Sequence, residues 1–575
     1  MPMRNDDIAS LFREMADLLE LDDANPFRVR AYRNAAVTIE GLRRPISQMI
    51  DEGADLTELR GIGEDLAVAL QEINETGRFA ALDELRGEST SSLRDLLQVP
   101  GLGPKRVQAL NDELGITTVD ELANALDEGQ VEQVSGFGKK TVQNLRETIL
   151  SGRRKKERRL WSDVEPEARD LEGFIQGING VENGRVAGSF RRRRETVADL
   201  DVVASSTAPA QVIDSFAGYG EIANVVSQGD TRASVMLKSG LAVDLRVVNP
   251  ESYGSALLYF TGSRDHQIRL RDMALERGWK LNEYGLFDGD EPLAGETEES
   301  VYRQFDLDYI APEIRESRGE IEAAGSGKLP TLIDLEDLRG DTHVSASFGS
   351  TPVDIRTLAE AAVDRGYSYL VVADRVQPGD GGDTLTISQA RVQLREIRQI
   401  DEEMDNLTLL AGFEIEILED GSLAFDIAEI GDVDLLIGVI AEGFDLSREK
   451  QTARMVRAIE ESRCQVLSHL TCRIVNERNP LDFDIERVFS AARDSGCAIE
   501  VDGNPRRLDI PDRYCQIARD VGAKLVLCSH ATSLSGLDQI RYAVGQARRG
   551  WIEAGDVLNT LPLDAFRASL RDLSR

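Results

Sequence analysis

Apolar residues near the N-terminus recur at Ile8, Leu11, Phe12, Met15, Leu18 and Leu19, the i, i+3, i+4, i+7 spacing that places one buried stripe on an α-helix. Asn25-Pro26 interrupts that helix, and the stretch from Phe27 to Leu42 starts another with Arg28, Arg30 and Arg33 on or near its exposed side. The chain therefore reads as helical up to about residue 85. Three segments within it and beyond share one pattern: LRGIGEDLAVAL (59–70), VPGLGPKRVQAL (99–110) and VSGFGKKTVQNL (134–145). Each sets an apolar residue between two glycines ahead of an amphipathic helix. The glycines permit a tight turn, and the free N–H groups at the helix start can bind a phosphate. One copy could be a simple helix cap; three in succession read as hairpins that grip a nucleic-acid backbone without reading its sequence. The candidate DNA contacts are Gly61, Gly63, Gly101, Gly103, Gly136 and Gly138, with Lys105 and Lys139 adding cations to the second and third copies. Glu64 and Asp65 leave the first copy poor in positive charge.

A basic run, Arg153, Arg154, Lys155, Lys156, Arg158 and Arg159, precedes Trp161, and from about 161 to 250 short strands alternate with helices. Within that region lies GSFRRRRETVADLD, Gly188 to Asp201. Asp199 and Asp201 sit two apart at the start of a strand-like run, so both carboxylates point to one face of a sheet, where a divalent metal would relieve their repulsion. Gly188 lets backbone approach a ligand, Ser189 offers a hydroxyl, and the arginines can pair with phosphate oxygens. Alone, the segment reads equally as a metal and triphosphate site or as a surface strand ending in solvated acids. LAVDLRVV (241–248) adds Asp244 among apolar neighbours, where a carboxylate is costly unless paired or metal-bound. It is the natural third ligand.

Size and charge refine this picture. A chain of 575 residues exceeds what one core organises, so several structural units are expected. The net charge of −35 argues against a nucleic-acid partner until its composition is read. Only ten of the 67 basic residues are lysine and aromatics are 5%, a lysine-poor, acid-rich surface like those of salt-in halophiles, where salt screens self-repulsion. The charge then describes the solvent. No apolar run spans a bilayer and the N-terminus lacks a signal peptide, so a cytoplasmic protein without membrane association is expected. Five cysteines, all in the last quarter and without C-x-x-C spacing, read as reduced core residues rather than a zinc site.

With these residues in view the chain resembles the family X DNA polymerases of the bacterial and archaeal type with a C-terminal PHP domain, over essentially its whole length. The family's palm motifs match Gly188-Ser189, Asp199/Asp201 and Asp244; its thumb motifs match Tyr259-Phe260-Thr261-Gly262-Ser263 and Leu281-Asn282-Glu283-Tyr284. The resemblance implies two divalent ions, Mg2+ or Mn2+, bridged by Asp199 and Asp201, with Asp244 on the catalytic one. It also implies terminal phosphates held by Ser189 and Arg192 with help from Arg191, and a floor under the sugar formed by Tyr259, Phe260 and Gly262. Gln267 and Arg271 would reach the nascent base pair and template. The chain departs from the family at Gln267, often asparagine, at Arg193 and Arg194, where a glycine and a small or basic residue are usual, and at Ala198, a frequent glycine. Ala69 stands where some relatives carry a Schiff-base lysine, so a lyase by that route is not expected.

Residues 316 to 330, ESRGEIEAAGSGKLP, read as a linker, and the strand runs after it, alternating with amphipathic helices, read as a parallel barrel. In the resembled PHP domain the strand ends hold a trinuclear metal site with 3′–5′ exonuclease or phosphatase chemistry. Here Ser345, Arg375, Ile440 and Thr532 replace histidines, and only His343, Glu414 and His469 match, as a possible residual metal site. The pair Ser468-His469 is set aside as a nucleophile because strand neighbours point to opposite faces.

The expected fold is multidomain α/β. It comprises a helical N-terminal DNA-end-binding domain with a helix-hairpin-helix (1–87), a helical fingers-like domain with two helix-hairpin-helix motifs (88–152), a mixed α/β nucleotidyltransferase palm (153–249), a thumb (250–315), a linker (316–335) and a (β/α)7 PHP-like barrel (336–575). The expected function is a monomeric DNA-directed DNA polymerase that fills short gaps during repair, with gapped or primed DNA and dNTPs as substrates, other repair proteins as partners, and an inactive PHP exonuclease. Two alternatives remain: a DNA-end-binding repair scaffold without catalysis, which would not need all three palm acids, and a polymerase with residual 3′–5′ exonuclease activity.

Overall fold

The computed structural model describes the chain except residues 1–4, 22–23, 43–45, 52, 77, 83–95, 97–98, 100–101, 128, 135, 139–140, 143–144, 146–157, 347–352, 380–383, 463, 572 and 574–575. Gly101, Lys139 and Arg153 to Lys156 thus lie outside the described residues. Two compact units divide the chain, Met1–Glu157 and Arg158–Arg575. Among the described residues no helix is long and apolar enough to cross a membrane.

In the first unit, helices Asn5–Leu21 and Pro26–Gly41 meet. The stripe of Ile8, Phe12, Met15 and Leu19 packs with Tyr32, Ala36, Ile39 and Leu70. Asn25 caps the second helix, its side chain accepting the Phe27 N–H at 2.9 Å. The three hairpins repeat one hydrogen-bond plan. Ile62, Leu102 and Phe137, all buried, donate back to Leu59, Val99 and Val134 at 3.0, 3.0 and 3.2 Å, and each following helix opens with a bond to Gly63, Gly103 or Gly138. Burial of the central residue pins the turn, and Gly61, Gly63, Gly103, Gly136 and Gly138 are exposed beside it. Gly61 and Gly136 adopt φ of 81° and 89°, which disfavours any side chain there. Lys105 is exposed on the second copy. Ala69 is buried in the core of this unit.

The second unit opens with a five-stranded sheet in the order Asn183–Val186, Asp199–Ser205, Ala242–Val248, Arg232–Leu237, Ile222–Gln228. Only the Asp199–Ser205 and Ala242–Val248 pair is parallel. Helices Tyr253–Thr261 and Arg264–Glu276 and a three-stranded antiparallel sheet over 280–294 follow. Asn282 builds the turn of that sheet, accepting from the Tyr284 and Gly285 N–H groups at 2.9 and 3.2 Å. The stretch 316–335, expected to be a linker, is instead packed: it holds helix Glu320–Gly325, and Glu320, Ile321 and Ala324 are buried. Its polar residues are consumed by internal partners, as when Glu320 meets His266 Nδ1 at 2.7 Å.

Seven parallel strands in chain order, from Gly340–Val344 to Leu525–Cys528, form the C-terminal barrel, and a bridge between Val344 and Ala531 links its ends. Phe566 stacks on Tyr369 at 5.0 Å inside it, among Val371, Leu410, Ile437 and Val466. Because Tyr369 opens its strand, this apolar plug fills the end where strands begin and leaves the opposite end for polar chemistry.

Candidate active site

Along Asp199–Ser205, Leu200, Val202 and Ala204 enter the core beside Val164, Ala168 and Leu171 of helix Trp161–Gln176. Strand alternation turns Asp199 and Asp201 the other way. The parallel neighbour sets Asp244 opposite Asp201 and Ala242 opposite Asp199, so the three half-buried acids share one sheet face. The Ser234 hydroxyl donates to Asp244. Among the described residues these acids do not form a cluster with ligand atoms within 4.8 Å of one another. The turn at Gly188 lies against them. Ala187 N–H donates to the Asp201 carbonyl at 2.7 Å, and a Cβ on Gly188, whose φ is 60°, would sit 2.5 Å from Asp201 Oδ2. That absent side chain leaves room at the carboxylate, and the all-oxygen donor set suits a hard divalent cation.

The arginines are placed differently from expectation. Arg191 is held by Glu298 through two bonds of 2.7 Å and by the Thr261 hydroxyl at 2.7 Å. Arg192 donates to the Thr261 carbonyl and to Glu316 at 3.1 Å. Both expected phosphate ligands are therefore engaged by internal carboxylates and the thumb. Arg193 and Arg194 extend the network toward Glu313 and Glu316, at 3.8 and 3.5 Å. Burial would raise Glu298 and Glu316, but the surrounding arginines hold both down at about 2. Ser189 begins the turn, its carbonyl accepting the Arg194 N–H at 3.0 Å.

Tyr259 and Phe260 meet edge to face at 5.0 Å, with Arg271 over the first ring and Arg246 over the second at 5.2 and 5.4 Å. Gly262, at φ 71°, lets the chain pass Arg192, whose Nη1 would lie 3.0 Å from a Cβ there. An open cleft beside Phe260, with a cavity volume of about 130 Å3, is lined by Arg246, Asn249, Glu283 and Tyr284. Gln267, expected near the nascent base pair, is buried, and its amide donates to the Leu258 carbonyl at 2.7 Å.

At the barrel's polar end the three residues expected to share an ion fall into two groups: His343 and Glu414 cluster with His530, while His469 clusters with Asp502 and His530, and Glu500 joins His343. His343 Nδ1 meets Glu500 at 2.8 Å and its Nε2 faces Glu414 at 3.6 Å. His469 Nε2 lies 3.2 Å from Asp502. Burial pushes the His343 imidazole down, yet Glu500 beside it lifts it to about 9. Arg375 places Nε 3.4 Å from Glu414, bringing a fixed cation where the resemblance expects a ligand. Cys528 lies within ligand reach of His343 and Glu500, but burial drives its thiol up. Three overlapping groups, His343 with Glu500 and Cys528, His343 with Glu414 and His530, and His469 with Asp502 and His530, each bring ligand atoms within 4.8 Å of one another, and the Arg375 guanidinium stands beside the Glu414 of the second. Glu500 and Asp502 carry the same i, i+2 signal as Asp199 and Asp201, so their spacing could have found them.

Comparison with known proteins bears on these features. A helix-hairpin-helix domain matches residues 3–79, a SAM-like helix-hairpin-helix tandem 93–149, and the DNA polymerase beta thumb 256–316. Over 573 residues the chain is 32% identical to DNA polymerase/3'-5' exonuclease PolX of Bacillus subtilis, covering 99% of this chain and 100% of that protein. It is 24% identical over 319 residues to DNA polymerase lambda of Arabidopsis thaliana, covering 51% of this chain and 56% of that protein. Repair DNA polymerase X of African swine fever virus matches at 26% over 136 residues, 22% of this chain and 78% of that protein. The match to a DNA polymerase over the whole chain, together with hairpin domains, a polymerase thumb and an acid-bearing sheet, defines a DNA-directed DNA polymerase, a nucleotidyltransferase. The chain belongs to family X of these enzymes, and its parallel barrel fits the PHP-like domain.

Proposed function

We propose that this polymerase fills short gaps in DNA during repair, in the cytoplasm, transferring deoxynucleotides from dNTPs to a primer 3′ end on the Asp199, Asp201 and Asp244 face. The observation that carries the reading is the strand register that sets Asp201 beside Asp244 next to the Gly188 turn. Two divalent cations, Mg2+ or Mn2+, held by these acids would supply the Lewis-acid charge for in-line transfer. Asp244, oriented by the Ser234 hydroxyl, takes the proton of the primer hydroxyl. Ser189 and Arg192 hold the terminal phosphates once Arg192 exchanges Glu316 for the triphosphate. Tyr259 and Phe260 pack under the sugar, and the exposed hairpin glycines with Lys105 hold the DNA backbone. Primer extension on a one-nucleotide gap with Mg2+ or Mn2+, at high salt, tests the reading; no extension by the native chain overturns it.

Gly188→Ala is expected to keep the fold and slow extension by about 100-fold, because a displacement of about 1 Å at reacting groups costs that much. The added Cβ meets Asp201 Oδ2 at 2.5 Å. Single-turnover rates at saturating nucleotide check this, and a native rate refutes it.

We further propose that the barrel does not hydrolyse DNA. Arg375 beside Glu414 supports this, since hydrolysis by bridged ions needs a second and third cation where the guanidinium sits. A labelled 3′ end is expected to survive incubation with the Asp244→Ala chain. Degradation that is lost in His343→Ala/Glu414→Ala refutes the proposal and assigns the barrel the 3′–5′ exonuclease activity in its relative's name.

A further inference from the structure

We infer that Arg549, on the barrel helix Ile540–Arg549, is a positioning residue for the triphosphate-binding turn, an inference that rests on the polymerase reading above. The buried Arg549 guanidinium donates to the Arg192 main-chain carbonyl at 2.6 Å, to Glu316 at 3.0 Å and to Asp512 at 2.7 Å. Glu316 is thereby shared by Arg192, Arg194 and Arg549. Other barrel groups fasten the same turn. Glu195 accepts from Arg473 at 2.6 Å and from Gln546 at 2.8 Å, and Trp161, stacked on Phe190 at 4.9 Å, lies edge-on to Tyr542 at 5.7 Å. Arg193 packs against Gly545, where a Cβ would lie 3.3 Å from its side chain. The extra arginines of GSFRRRR are thus the palm's side of a joint with the barrel.

That joint acts on nucleotide binding through charge. A triphosphate must draw the Arg192 side chain away from Glu316, and a buried carboxylate left without partners resists the exchange. Arg549 and Arg194 keep Glu316 paired, so Arg192 is released at lower cost. The Arg549 bond to the Arg192 carbonyl also holds the backbone of the turn while the side chain moves. The barrel, whatever its own chemistry, contributes to the polymerase site from behind.

The test compares Arg549→Gln and Arg549→Lys with the native full-length chain in single-nucleotide gap extension. Arg549→Gln is expected to raise the KM for the dNTP by about tenfold with kcat within about twofold, and Arg549→Lys to recover part of the loss. Equilibrium binding of dATP with Mg2+ and no primer should weaken in parallel. An unchanged KM in Arg549→Gln overturns the inference. So does a proportional loss of kcat with a lowered melting temperature that lysine does not rescue, the mark of a structural role alone. If Arg549→Gln does not fold, Glu195→Gln loosens the same turn and must shift dATP binding for the inference to stand. Absence of extension by the native chain removes the polymerase reading, and dATP binding then decides on Arg549 alone.

Discussion

Asp244→Ala is expected to lower primer extension by about 10³-fold or more, with folding and gapped-DNA binding unchanged. The magnitude follows from position. Asp244 stands beside Asp201 across a parallel strand pair, so its removal takes away one of three charges that must hold the cations through the transition state. The fold survives because Val243 and Leu245, not Asp244, enter the core. The hairpins that grip the DNA backbone lie in residues 59–145, far along the chain from the substitution. Asp244→Asn refines the experiment: it keeps the size and an acceptor for Ser234 but loses the charge, and should be nearly as slow. Single-turnover extension on a one-nucleotide gap, beside thermal melting and anisotropy of labelled DNA, provides the readouts. Extension by Asp244→Ala at the native rate would place the chemistry away from the Asp199, Asp201 and Asp244 face.

The acid row was legible in the sequence because period-two alternation is a local property: Asp199 and Asp201 share a face however the strand is packed. Asp244 was legible as their third partner because a carboxylate among apolar strand neighbours is costly unless paired or metal-bound, although nothing local says which strand adjoins which. The hairpins were legible for a similar reason, their G-x-G spacing fixing the same turn three times over. What escaped was long-range charge pairing. Arg191 and Arg192 look like free phosphate ligands until Glu298 and Glu316 arrive from more than 100 residues away. The polar stretch after Glu316 resembled a linker because its acids and arginines are spent on partners that composition does not reveal. In the barrel, alternation misled: His469 lies beyond the strand end with φ 48°, and Ser468 bonds Glu500, so both side chains of the pair turn to the same cluster.

Glu298→Ala is expected to destabilise the second unit by about 3–5 kcal/mol, the cost of leaving a buried charge without its partner. Arg315 is fully buried, with its guanidinium over the Tyr302 and Tyr309 rings at 5.4 and 5.5 Å, and it donates to Glu298 at 2.6 Å. Arg191 brings a second guanidinium to the same carboxylate from the phosphate turn. Alanine removes the common anion of both. Acid should act in the same direction. Burial opposes ionisation of Glu298, but Arg315 and Arg191 prevail and hold it at about 2, below its usual 4.5. Its contribution is therefore complete above about pH 4.5 and fades as the pH falls toward 2. Denaturant unfolding followed by tryptophan fluorescence is suited to the test, because Trp279 and Trp551 belong to the surrounding core. Glu298→Ala should lose that acid sensitivity along with its stability, and Glu298→Ala/Arg315→Met should recover part of the stability by removing the stranded charge. A Glu298→Ala chain as stable as the native one would mean that the thumb and the phosphate turn are held together by packing alone. Extension by the double variant should still be slowed, since Arg191 then lacks the carboxylate that fixes it between Thr261 and the turn.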